Sequence, residues 1–511
     1  MKKYVIAVLL AAAGFYLYAG NKEAEKYFLS GAAKSAAGDY KGAIQYYDKA
    51  IELDTGYAEA YNNRGNAKYY LSDLEGAVKD CSRAIELDPK IVVAYNNRGN
   101  AMDDLGDHVA AIRDYNKAIG LDPKNAMAYF NRGMAKNNLK MFKDAVADYD
   151  AAIGLSPKIK DGYYQRAMAR ATLGDFKNAI RDYNQALKNN PGNGNIYFNM
   201  GMAKRYSGDH KGAIGDFSEA IRINPKDYDA YCNRGISENA LKDGKNALYD
   251  LDKALKMSPD RPEAYYYRAN MKFGNNDFEG ALKDYDRAIE IQPNQDAYYN
   301  RAKAREGAGD NKGAVGDYLQ VIALNPNDAV AYADMALAKH KMNDFKGAVA
   351  DYDKAIGLAP GSADVYHNRG CSKNELKDFS GALKDFNTAI KLDPSKGEFY
   401  GNRASVETDL KDYSAAIEDC NKVLKMDPGS IIAYNNRGDA KRGARDYNGA
   451  VSDYNKALEI SARYPFPFLG RALAYNGLGK YDKALDDLEK AKQLGDESAG
   501  AYILEIKSKI K

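Results

Sequence analysis

The chain has no tryptophan, only four histidines and four cysteines, and 14 prolines in 511 residues. Cys81, Cys232, Cys371 and Cys420 are too scattered for a zinc-ligand spacing or for the disulfide framework of a small secreted domain. Neither sign of charge prevails: 74 basic residues face 71 acidic ones, so the strong basic field of a nucleic-acid binder is missing. No nucleophile–base pair, phosphate loop or zinc-protease motif is present, so neither an enzyme nor a cofactor is expected. No linker rich in proline, glycine or serine and no charge block divides the chain. A length that ordinarily holds roughly three or four domains is thus expected to be one continuous architecture.

The start of the chain differs from the rest. Met1, Lys2 and Lys3 precede an uncharged run from Tyr4 to Gly20, and charge resumes at Lys22. This is the layout of a signal peptide or a short signal anchor over residues 1–23. The expectation is an exported, periplasmic or extracytoplasmic protein, tethered to the membrane through residues 4–20 if the segment is not cleaved.

Tyrosine and glycine are abundant, 42 and 45 residues, and they recur at fixed places. The octapeptide YNNRGNAK at Tyr61–Lys68 returns as YNNRGNA at Tyr95 and YNNRGDAK at Tyr434. Its arginine falls at 64, 98, 132, 166, 234, 268, 301, 369, 403, 437 and 471, with Met200 and Met335 filling the two gaps. Every step is 34 residues except one of 33, and a fixed period of this length is the signature of a solenoid.

With the arginine as position 7, each unit reads as a helix pair. Position 4 is tyrosine (Tyr27, Tyr61, Tyr95 and onward) except for Phe468, and position 8 is always glycine or alanine. A turn, often Gly-Asp as at Gly106-Asp107, separates this helix from a second one with alanine at position 20 throughout and alanine or valine at position 27. Eleven of the 14 prolines, Pro89 to Pro428, sit at position 32, where a missing N–H and a steric clash stop the second helix.

This pattern resembles the tetratricopeptide repeat family. The resemblance covers residues 24–498 as 14 units, 24–57 and then units starting at 58, 92, 126, 160, 194, 228, 262, 295, 329, 363, 397, 431 and 465, numbered here as repeats 1 to 14. Residues 499–511 read as a capping helix. The resemblance implies an all-α, right-handed α-α superhelix with the first helix of each unit lining an inner groove.

An aspartate recurs at position 23 in thirteen units, from Asp80 to Asp487, sixteen residues after the arginine. A partly buried guanidinium needs a carboxylate, and this column supplies one per unit. Repeat 1 lacks both members, carrying Ser30 and Tyr46, which favours pairing within the unit.

By the resemblance, groove side chains come from positions 2, 5, 6, 9, 12 and 13. Position 6 is asparagine at Asn63, Asn97, Asn131, Asn199, Asn233, Asn300, Asn368, Asn402 and Asn436, a row able to hold the backbone of an extended peptide or to bond neighbouring backbone. Gln165, Tyr267, Asp334 and Gly470 interrupt it. Near the middle the floor turns apolar, with Phe130, Tyr164, Phe198 and Tyr266 at position 5 and Met134, Met168 and Met202 at position 9, one helical turn away. His340, His367 and Cys371 also fall in or beside the groove, without a recognisable metal motif. The resulting expectation is a scaffold that binds other proteins or peptides in its groove, and not nucleic acid. The alternative is a structural element of a cell-envelope complex acting through its outer face or ends.

Overall fold

The computed structural model describes residues 21–510, and all of these statements concern them. The apolar run Tyr4–Gly20, read as an export signal or anchor, lies outside the described residues. Among the described residues no helix is long and apolar enough to cross a membrane. They form 29 helices and no strand, in two compact bodies that meet in sequence at Met257 and Ser258. The first body holds repeats 1 to 7; the second holds repeats 8 to 14 and the terminal helix Ala499–Ile510.

Repeat 3 is typical, with helices Val92–Asp104 and His108–Leu121. The first helix stops because the chain enters the left-handed region just past its end, at Gly106 with φ 87°. Repeats without a glycine there place a polar residue in the same conformation, such as Ser72, Lys140 or Asn343, at a cost of about 1 kcal/mol each. The aspartate that follows caps the second helix: the Asp107 carboxylate accepts from the Ala110 N–H at 2.9 Å, and Asp73 and Asp344 do the same for Gly76 and Gly347. Repeat 5 departs from this regularity. Its first helix is shortened to Gly162–Thr172, with Asp161 at φ 60° before it and no side-chain cap.

Within a repeat the two helices meet through alanine on one side and glycine on the other. Ala111, Ala118, Ala145 and Ala152 on the second helices are fully buried, as are Tyr115 and Tyr149 at position 24. The tyrosine ring passes under the first helix where position 8 has no side chain; a Cβ on Gly133 would lie 2.8 Å from Tyr149 Cε1. Within each body, each second helix also packs against the first helix of the repeat that follows it. In each body, successive first helices touch one another while successive second helices lie further apart, so the first helices line the inner side of the stack.

Candidate functional site

The arginine column is built into the joints between repeats. Arg132 donates through Nε and Nη2 to both oxygens of Asp148, at 2.9 and 2.5 Å, a bidentate pair inside the repeat. Its remaining nitrogen, Nη1, reaches back to Asn116 Oδ1 in repeat 3 at 2.6 Å. The same third arm joins Arg64 to Asp48, Arg166 to Asp150, Arg301 to Asp286 and Arg369 to Asp353, all to residues of the preceding repeat. The expected pairing within the unit is therefore half of the arrangement, since one guanidinium ties two repeats. Tyr129 at position 4 lies 5.3 Å beneath Arg132, and the position-4 ring lies likewise beneath other ladder arginines, as Tyr61 beneath Arg64, Tyr366 beneath Arg369 and Phe468 beneath Arg471. Burial opposes the charge on Arg64, but hydrogen bonds to Asp80 and Asp48 outweigh it and hold the guanidinium above its ordinary pKa range.

A second cation shares most of these aspartates. Lys68, Lys136, Lys373 and Lys441 at position 11 sit 2.7–2.8 Å from the same carboxylates. In repeats 6 and 10, where Met200 and Met335 replace the arginine, Lys204 and Lys339 remain with Asp216 and Asp351. Repeats 7 and 12 reverse the sign at position 11. Glu238 and Glu407 are pushed up to about 7, first by burial and then by the neighbouring Asp250 and Asp419 charges, against the pull of Arg234 and Arg403.

Along the groove the asparagine column bonds across repeats. Asn97 donates to Asn62 Oδ1, Asn131 to Asn100 Oδ1, Asn199 and Asn300 to the hydroxyls of Tyr164 and Tyr266, and Asn402 to His367 Nε2, at 2.7–2.9 Å. Each acceptor is on the first helix of the preceding repeat. Asn233 instead bonds the Asp229 carbonyl in its own helix, and Asn63 accepts from Asn62. Asn368 and Asn436 stand half-buried on the same face.

The aromatic residues at position 5 divide their surface between core and groove. Phe130, Tyr164, Phe198 and Tyr266 are half-buried, with ring centroids 5.8–6.2 Å from Tyr149, Tyr183, Phe217 and Tyr285 of the second helices. Met134 and Met202 are half-buried and Met168 is exposed. The structure also brings to this floor a group that the periodicity does not mark, the position-24 hydroxyls. Tyr115 donates to Asn100 and Tyr454 to Asp439, both on the first helix.

His367 lies 3.7 Å from Cys371 Sγ and packs 4.7 Å from the Phe399 ring. Burial lowers the imidazole pKa and raises the thiol to about 11, so the two stay neutral and the sulfur is not activated. His340 pairs with Ser372 Oγ at 2.9 Å. Among the described residues no group of three histidines, cysteines or carboxylates could hold a metal.

Two cavities open at the junction of repeats 5 and 6. One of about 290 Å³ is bordered by Lys158, Lys160, Tyr164 and Asn190; the other, about 250 Å³, by Met168, Phe176, Tyr183, Asn199, Met202 and Tyr206.

Comparison with known proteins agrees with this architecture. Family models described as tetratricopeptide repeat match residues 58–91, 92–125, 126–159, 161–193, 198–262, 262–295, 296–328, 329–362, 367–431 and 431–464, and one described as TPR repeat matches 31–72. No curated protein matches the chain. Among solved structures it is similar to YrrB, described as a TPR protein with an unusual peptide-binding site, at 25% identity over 37% of this chain and 98% of that one, TM-score 0.36. A tetratricopeptide repeat protein from Parabacteroides merdae matches at 19% identity over 47% and 94%, TM-score 0.36. The APC/C hetero-tetramer Cut9-Hcn1 matches at 14% identity over 98% of both chains, TM-score 0.39. With repeat models spanning nearly all of residues 31–464 and paired helices through the described residues, the chain belongs to the tetratricopeptide repeat family.

Proposed function

We propose that the chain is a protein-interaction scaffold whose first-helix groove holds an extended segment of a partner protein. The observation that carries this reading is the fixed orientation of the asparagine amides. Asn97, Asn131, Asn199 and Asn300 commit their NH2 groups to the preceding repeat, which leaves Oδ1 free to accept. An amide already held at one end is a pre-organised acceptor and loses little freedom on binding. Neighbouring first helices are about 10 Å apart, close to one turn of the extended polyproline II conformation, whose period of three residues at about 3.1 Å each returns a backbone N–H to the same side for each amide. Extended chain suits this row better than a helix, whose N–H groups are already bonded internally.

The test is binding of the full chain to an array of random extended peptides. Replacing Asn97, Asn131 and Asn199 together by alanine is expected to weaken the captured peptides about a hundredfold, three hydrogen bonds at about 1 kcal/mol each. Lys117→Glu with Arg181→Glu on the outer face is expected to change nothing. Loss of binding in the outer-face variant with the asparagine variant unaffected would move the function to the outer surface.

A further inference from the structure

We propose that the junction of repeats 5 and 6 is a specificity site that takes a bulky apolar side chain flanked by acidic residues, an inference that rests on the groove reading above. Both cavities open at this junction. It is also a joint where the arginine ladder is broken, because Met200 occupies position 7 and Asp216 keeps Lys204 at 2.7 Å. The guanidinium arm that elsewhere ties a first helix to the second helix of the preceding repeat, as Arg132 is tied to Asn116, is missing at this joint.

The cavity of about 250 Å³ is walled by Met168, Met202, Phe176 and Tyr206, with Asn199 at its edge. Met168 is 37% exposed and Tyr206 60% exposed, so a large apolar side chain entering here covers surface that is now in water. Unbranched thioethers let such a pocket adjust to more than one aromatic or aliphatic shape. Asn199 donates to Tyr164 and leaves its carbonyl oxygen for the ligand backbone beside the anchor.

Charge selects the flanks. The Arg205 guanidinium is stacked 4.4 Å over the Tyr206 ring, and Tyr206 is in turn stacked on Phe176. Arg205 Nε is buried without an acceptor, and no ion pair forms to this side chain among the described residues. The half-buried side chain keeps its terminal nitrogens without an acceptor or ion pair among the described residues, so a ligand carboxylate can pair with them. At the other cavity, Lys158 and Lys160 are exposed and face a single lining acid, Asp161. Elsewhere in the groove of this body the charged positions are acidic, as at Glu25, Glu59, Asp103 and Asp104. An acidic ligand is repelled there and drawn to this junction, which sets its register.

The two basic points sit at opposite ends of the first helices. At this junction the segment that crosses the other first helices runs along one of them: Gly194–Tyr206 spans about 20 Å, which about six residues of extended chain bridge. The matching segment therefore carries acidic residues about six apart on either side of one bulky apolar residue.

The probe is a fluorescein-labelled peptide, Gly-Glu-Glu-Ser-Phe-Ser-Glu-Glu-Gly-amide, titrated with the full chain by fluorescence anisotropy at low and high salt. Companion peptides have the phenylalanine changed to serine or the four glutamates to lysine. The parent peptide is expected to bind most tightly and to weaken with salt. Arg205→Gln, Met168→Ser with Met202→Ser, and Lys158→Gln with Lys160→Gln are each expected to weaken it about tenfold. All variants should keep the parent circular dichroism, and Asn63→Ala at the far end of the groove should bind like the parent. Equal binding of the lysine peptide, or an Arg205→Gln chain that binds unchanged, overturns the proposal. If the groove captures other extended peptides through Asn97 and Asn131 but not this class, only this inference fails; if no peptide depends on the groove, the scaffold reading fails with it.

Discussion

Replacing Arg132 by methionine removes more than one interaction, and its cost can be worked out from the neighbours that remain. Asp148 is almost fully buried, with a side chain 5% exposed against 16% for Arg132. Removing one partner of a buried pair costs about 3–5 kcal/mol because the other charge is stranded. Here Lys136 stays 2.7 Å from Asp148 Oδ2, so Arg132→Met falls at the low end, about 3 kcal/mol. Asp148→Asn strands two cations instead of one anion and costs more, about 5 kcal/mol. The double variant should cost about 4 kcal/mol, well short of the sum, giving a coupling of about 4 kcal/mol.

Repeat arrays do not unfold as a single cooperative unit, so amide hydrogen exchange is the appropriate assay. Protection should fall in the second helix of repeat 4, Phe142–Leu155, and also in His108–Leu121 of repeat 3, because Arg132 Nη1 is bonded to Asn116 there. Additive losses would refute the coupling. A loss confined to repeat 4 would refute the role of the third arm in joining repeats.

Three further outcomes follow from the same geometry. Met335→Arg combined with Leu319→Asp supplies the missing guanidinium with Asp351 and with an acceptor on the preceding repeat; amide hydrogen exchange should show protection of the helices at that joint raised by about 1–2 kcal/mol, and a loss would count against the ladder as a stabilising device. Gly133→Val should cost about 3 kcal/mol through collision with the Tyr149 ring, whereas Gly133→Ala should cost about 1 kcal/mol, since Ala167 already sits over Tyr183 in repeat 5. Glu238 and Glu407 hold their protons up to about pH 7 when folded but release them near 4.5 when unfolded, so their contribution to stability is lost as pH rises between those values. Glu238→Gln with Glu407→Gln should flatten the change in melting temperature across that window, and an unchanged slope would contradict the placement of these side chains.

Much of the fold can be read from the residues because each local requirement recurs at the same position. Pro89 and its equivalents end second helices; Gly106 and Asp107 end one helix and cap the next; Ala111 and Ala118 mark where two helices touch. The column from Asp80 to Asp487 pointed to the partner of the arginine within its own repeat, and the structure places it there. The third arm was not legible, because its acceptor varies among aspartate, asparagine and serine, as at Asp48, Asn116 and Ser82. A column with no fixed identity gives no periodic signal. The groove was legible as a set of positions, but not the direction in which Asn97 or Asn199 would donate, nor the arrival of the Tyr115 hydroxyl from the second helix.

The amino-acid order by itself determined the period, the helix pair and its stops, since these depend on contacts within about 34 residues that every repeat makes anew. Only the packing of one repeat on the next decided which hydrogen-bond arms were taken and which were left facing the groove. The opening at repeats 5 and 6 belongs to that second level: a shortened helix, Met168 and Met202, and an Arg205 stacked on Tyr206 are each minor in sequence, and only the folded chain brings them to the same joint.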